Sequence, residues 1–176
     1  MKLLRTIRLD PSDTFVFERA AEPGEWAVSG AFMFSDADPN QFDGKPRAAF
    51  RSGFLGVPSL GWSTLAQIVE ASDDDRVKAI DTLAKQLVAH FGAPRIEDAV
   101  AAAEEEFEFA SSLCNHPHDT LVAVHRSHED GEIREAFRTL KARNGPKPAR
   151  AFSFLEVTGE DEPEETVDLT TLGERK

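Results

Sequence analysis

Short apolar-rich runs separated by turn residues make the first third of the chain read as strands. Leu3 to Leu9 is the first and ends at Asp10-Pro11-Ser12-Asp13, where Pro and Asp pre-set a turn. Phe15 to Arg19 and Trp26 to Phe34 follow as further strands, separated by the turn Glu22-Pro23-Gly24-Glu25. Side chains two apart on a strand share a face, so Phe15 with Phe17, and Phe32 with Phe34, are expected to form aromatic patches against the core. Ser35 to Pro46, with its Asp, Asn, Gly and Pro residues, reads as a loop. Arg47 to Leu55 and Trp62 to Glu70 read as a fourth and fifth strand joined by a segment rich in Gly and Pro.

The period changes to that of a helix in the middle of the chain. Ser72 is an N-cap, and Asp73, Asp74 and Asp75 place carboxylates at the positive end of the helix dipole. Val77, Ile80, Ala84, Leu87, Val88 and Phe91 recur at helical spacing, with His90 near the C-terminal end and Gly92 as the stop. Pro94 opens a second helix, whose stripe is Ile96, Val100, Ala103, Phe107 and Ala110 and which ends near Leu113. Glu104, Glu105 and Glu108 fall largely off that stripe. The two helices form a hairpin whose apolar faces are expected to cover a sheet.

Thr120 to Arg126 reads as a strand. Between Gly131 and Arg143, Ile133, Phe137 and Leu140 stand at i, i+4 and i+7, which predicts a helix. Asp130-Gly131 between apolar runs supports the competing reading, a β-hairpin. Ala151 to Thr158 is the last strand, with Phe152 and Phe154 on one face. The fold class that follows is α+β: a mostly antiparallel sheet with a helical hairpin and one further helix packed on it. Residues 1–157 are read as one domain and residues 158–176 as an acidic tail.

A chain of 176 residues with 40% apolar and 30% charged side chains is long enough to bury a core, and its composition is that of a globular protein. The single cysteine excludes an internal disulfide and fits a reducing compartment. The N-terminus has basic residues but no continuous apolar run, so no signal peptide is expected. No run of about 18 apolar residues exists to span a membrane. A cytoplasmic location follows as the expectation. The formal charge of −12 repels phosphate backbones and anionic lipid, which argues against nucleic acid or membrane as partner. The charge is also segregated. Gly159 to Asp168 holds six carboxylates and no base, and Arg134 to Arg150 holds six bases and one acid. Both blocks read as solvated surface, with contact between them, or with another protein or a second copy, as the sharper alternative.

The run from Leu3 through Arg19, continuing into Gly24-Glu25-Trp26-Ala27-Val28-Ser29-Gly30, resembles a small bacterial protein family without an assigned function. The resemblance extends over the domain and carries no catalytic motif. It implies a bacterial cytoplasmic protein and no particular chemistry.

The chain lacks a P-loop and an H-E-x-x-H helix. Gly61-Trp62-Ser63-Thr64-Leu65 begins like a nucleophile elbow but lacks its closing glycine. Four of the five histidines, His116, His118, His125 and His128, lie within thirteen residues just after Cys114. Imidazole and thiolate suit zinc or another divalent transition metal, and these five residues form the candidate metal set. The alternative is packing for Cys114 and a His-rich surface for the rest. A second candidate lies between Arg47 and Trp62, where glycines permit close approach and Arg47, Arg51 and Trp62 can hold an anion or a planar ring. Three functions are carried forward. The first is a non-catalytic accessory or binding protein, because no nucleophile, base and orienter come together in the sequence. The second is a metal-binding protein or metal-dependent enzyme built on the His cluster. The third is an interaction module using the basic stretch and the acidic tail.

Overall fold

Eight strands, four helices and two 3-10 turns make up the residues that the computed structural model describes, 1–142 and the backbone of 155–158. In chain order they are β1 (Lys2–Ile7), α1 (Asp13–Val16), β2 (Trp26–Val28), α2 (Gly44–Ser52), β3 (Phe54–Gly56), β4 (Trp62–Ser63), β5 (Leu65–Glu70), α3 (Asp73–His90), α4 (Ile96–Ser112), β6 (Leu121–Glu129), β7 (Glu132–Ala142) and β8 (Leu155–Thr158). The strands form one antiparallel sheet in the order β4-β3-β2-β1-β5-β6-β7-β8. β1 stands inside this order, with Leu4 opposite Ala27 on one side and Ile68 on the other. The architecture is α+β, as the residue pattern implies. No helix among the described residues is long and apolar enough to cross a membrane.

The helical hairpin forms where local signals place it. The Ser72 hydroxyl accepts the Asp75 N–H at 3.1 Å, and the Asp75 carboxylate accepts the Ser72 N–H at 3.0 Å, closing a capping box at the start of α3. Ile80, Ala84 and Leu87 of α3, and Ala103, Phe107 and Ala110 of α4, are buried. α3 packs on α4, and α4 lies against β1 and β2. The stripe on α3 is narrower than its spacing suggests. Val77, Val88 and Phe91 are exposed, whereas Ala79 and Leu83 enter the core.

Elsewhere tertiary contacts override the strand readings. Phe15 to Arg19 is not a strand: α1 occupies Asp13–Val16, leaving Phe15 74% exposed while Phe17 is buried. The cause is Asp13, whose buried carboxylate accepts the Thr64 hydroxyl at 2.6 Å and the Thr64 N–H at 3.2 Å, fixing a helical turn there. β2 stops at Val28, because Gly30 takes φ +81° and Ala31–Phe34 coils into a 3-10 turn. Phe32 and Phe34 therefore do not share a strand face. Arg47 to Leu55 is mostly helix. Pro46 sits in the first turn of α2, where its missing N–H costs no intrahelical bond. The stretch from Trp62 to Glu70 breaks at Thr64, so that β4 pairs with β3 while β5 pairs with β1 and β6.

The segment after Asp130 is also corrected. It is β7, the second arm of a hairpin with β6, and not a helix. Asp130 at φ +52° and Gly131 at φ +78° form the two-residue turn whose twist suits antiparallel strands, and this local geometry together with nine cross-strand pairs outweighs the helical spacing. β8 lies within the strand expected over Ala151 to Thr158. Phe152, Phe154 and the acidic tail fall outside the described residues.

Candidate functional site

An open cleft of about 840 Å³ is bounded by the 3-10 turn Ala31–Phe34, the start of α2, the segment joining β3 to β4, and α3. Its inner wall is aromatic. Trp62 and Phe34 stack with ring centroids 5.2 Å apart at 22°, and Phe50 meets Phe34 edge-on at 5.2 Å. Two glycines make room for the indole. A Cβ on Gly53 would stand 2.7 Å from the Trp62 ring, and one on Gly30 would stand 3.1 Å from it and 2.6 Å from the Leu55 Cβ.

The lip of the cleft, Pro58-Ser59-Leu60, is held from three sides. Arg19 donates to the Ser59 carbonyl at 3.1 Å, Gln86 donates to the Pro58 carbonyl at 2.8 Å, and the Ser59 hydroxyl donates to Glu25 at 2.8 Å. Leu60 on this lip adopts φ +54°, a conformation that costs a residue with a Cβ about 1–2 kcal/mol. Of the charged side chains in the lining, Arg19 and Lys45 outnumber Glu18, and His90 stands with them. Trp62 is only 8% exposed.

Behind the aromatic wall lies the charged centre of the molecule. Arg126 of β6 is buried, and its Nε donates to Glu135 of β7 at 2.7 Å. Its remaining N–H groups donate to the carbonyls of Phe50 at 3.1 Å and Gly53 at 2.7 Å, at the C-terminal end of α2, and to the carbonyl of Ser29. The Ser29 hydroxyl donates to Glu135. One guanidinium thus ties α2 and the end of β2 to the sheet and fixes the backbone beside both glycines under Trp62. Burial pulls the Arg126 pKa down, and the Glu135 carboxylate opposes that shift. Glu106 of α4 faces the same centre. Burial, then repulsion from Glu135, pushes its carboxyl up to about 7, with Arg126 acting in the other direction. Period-two spacing places Val122, Val124 and Arg126 on one face of β6. Once the hairpin is formed, Arg126 stands directly opposite Glu135, so the helical reading of 131–143 hid this pair.

A family model matches residues 1–151, which include every residue of the cleft and of the charged centre. The chain belongs to this family. It is DUF6505, a family of unknown function. No curated protein and no solved structure matches the chain.

In this DUF6505 protein the proposed metal ligands do not converge. Cys114, just beyond α4, is buried, its thiol directed at the Ala110 carbonyl at 3.3 Å, and burial raises its pKa to about 11. The His116 carbonyl receives the Lys2 ammonium at 2.8 Å, while the His118 ring lies 2.9 Å from the Asp119 carboxylate. A turn intervenes before β6: Thr120 N–H bonds to the Pro117 carbonyl, and Asp119 takes φ +64°. The parity shared by His116 and His118 is therefore not carried through to His125. His125 is exposed, and His128, three residues on, points to the other face of β6 and bonds to Asn40 at 2.9 Å. Among the described residues no three His, Cys, Asp or Glu side chains come together to hold a metal ion. The second candidate set also divides. Trp62 lines the cleft, but Arg47 and Arg51 are exposed on α2 and do not line it.

Proposed function

We propose that this DUF6505 member is a binding protein that holds a small organic ligand in the Trp62 cleft without transforming it. The observation carrying this reading is the prearranged lip and wall. Leu60 keeps a costly backbone conformation where three side-chain hydrogen bonds hold the lip, and such strain clusters where ligands are clamped. A volume of about 840 Å³ lies within the usual range of sites for drug-sized molecules. The lining argues for binding over catalysis. Its one hydroxyl nucleophile, Ser59, donates to Glu25 and accepts the Gly61 N–H, with no imidazole bonded to it. A cytoplasmic location, and contact with another protein or a second copy, belong to the same proposal, supported by the single cysteine and the segregated charge of the chain.

The test is a fragment-library screen by thermal shift on the wild-type chain and on Pro46→Trp, which fills the cleft from an exposed position. A ligand at about 100 times its Kd stabilises the fold by about 2.7 kcal/mol, a shift of several degrees. Hits are expected to stabilise the wild type and to lose that effect in Pro46→Trp. Hits that stabilise both proteins equally place the ligand elsewhere and remove this reading.

A further inference from the structure

We propose that Glu106 is a proton-operated latch on the aromatic wall: with its proton in place Arg126 holds the wall, and without it the carboxylate draws Arg126 away from α2 and β2. Every donor of that guanidinium is already in use. Nε donates to Glu135, Nη1 to the Phe50 and Gly53 carbonyls, and Nη2 to the Ser29 carbonyl and hydroxyl. These contacts account for all the N–H groups a guanidinium has. A second carboxylate at this centre therefore gains a hydrogen bond from Arg126 only by displacing one of the acceptors. A carboxylate is a stronger acceptor than a neutral oxygen, so the carbonyls and the hydroxyl give way before Glu135 does.

The acceptors that give way frame the cleft. Gly53 lies under the Trp62 ring, and Ser29 precedes Gly30, which crowds the same ring. The Arg126 guanidinium also stands 6.0 Å from the centre of the Phe34 ring, which stacks on Trp62. The charges that act on Glu106 are Glu135 from β7, Arg126 from β6 and Glu105 from its own helix. Among the described residues α3, β1 and β2 also pack on α4 and add no charge to that set. Two carboxylates thus share a single guanidinium, and burial adds to the cost of ionising the second. The centre holds that proton up to about pH 7, and above it the latch is released. The inference rests on the cleft reading only for its consequence, tighter ligand binding below that pH than above it. The latch itself is tested without a ligand.

The experiment follows Trp62 fluorescence in the full-length chain from about pH 5 to about pH 9, on either side of the proton's release. A Trp26→Phe background leaves Trp62 as the single indole. A transition centred near about pH 7 is expected. Glu106→Gln and Glu106→Leu, which have no proton to release, should abolish it, and Glu105→Gln should retain it. Hydrogen exchange supplies the second readout. The Gly53 N–H donates to the Ala49 carbonyl at 3.0 Å, at the end of α2. Its protection, corrected for the intrinsic pH dependence of exchange, should fall about tenfold across the transition, the factor one charge-assisted hydrogen bond represents. In Glu106→Gln it should stay constant. A flat titration of the parent protein overturns the latch. A transition that survives both Glu106 substitutions belongs to another group, such as His90 in the cleft lining, and overturns it too. So does a transition lost in both variants while Gly53 protection in the parent is independent of pH, because the indole then senses the Glu106 charge without any loosening of the wall.

Discussion

Glu104, Glu105 and Glu106 are consecutive, yet they occupy different environments. The first two are exposed on α4, and the third is turned toward the Arg126–Glu135 pair. With its pKa raised to about 7, Glu106 keeps its proton in the fold under conditions where the unfolded chain has already released it. The favourable contribution is complete below about pH 4.5, is lost as pH rises through about 7, and stays lost above that. Glu106→Gln, which never ionises, is therefore expected to stabilise the protein at pH 8 by roughly 1–3 kcal/mol, at about 1.4 kcal/mol per pKa unit, and to change little at pH 4.5. Urea denaturation of both proteins at the two pH values measures this. Equal stabilities at pH 8 would show that Glu106 reaches solvent. The Arg126 cluster also illustrates why a buried ion needs every donor used: its charge is distributed over one carboxylate and three carbonyls, leaving little of it uncompensated.

At the scale of elements, the helical hairpin and the β6–β7 hairpin rest on different kinds of signal. α3 is held by its Ser72–Asp75 capping box, and both helices by stripes that bury Leu87 and Phe107. Truncating either to Ala is expected to cost about 2–5 kcal/mol through lost transfer energy and the cavity left behind. Val88→Ala and Glu104→Ala, at exposed positions, should each cost no more than about 0.5 kcal/mol. Chemical denaturation of the four variants checks the assignment. A large loss at Val88 would restore the wider stripe that its spacing suggests. β7, by contrast, has Ile133, Phe137 and Leu140 at helical spacing and is a strand all the same. Phe137 packs against Phe54 and Phe109, and the Asp130-Gly131 turn brings its backbone into register with β6. Periodicity over three residues is weak evidence when a two-residue turn next to it specifies a hairpin.

For the whole molecule, the described sheet ends at β4 on one side and β8 on the other. β8 completes its pairing at Thr158 opposite Thr139. The residues beyond it lie outside the described part of the chain, and the expectation about them comes from composition: six carboxylates between Gly159 and Asp168, with Pro163 among them, bury too little apolar surface to offset ordering entropy. Truncation after Thr158 is expected to lower Tm by less than about 5 °C. Calorimetry on the two chains decides it. A larger drop would mean that Val167, Leu169 and Leu172 dock on the domain.

The sequence by itself determined the α+β class, the antiparallel sheet and the helical hairpin, because caps, stop residues and a stripe repeated over several turns act between neighbours in the chain. It also showed Trp62 to be set among glycines. Only the tertiary structure decided that Arg47 to Leu55 is chiefly helix, that Asp13 binds Thr64 and turns a predicted strand into α1, and that the histidines stay apart. The cleft was legible only in part for the same reason. Trp62 carries a local signal, but Phe34, Lys45 and Gln86 become its neighbours through the curl of the sheet and the anchoring of Arg126 to Phe50, Gly53 and Ser29. Those bonds join residues more than 70 positions apart, and residue periodicity, which reaches only a few positions along the chain, holds no record of them.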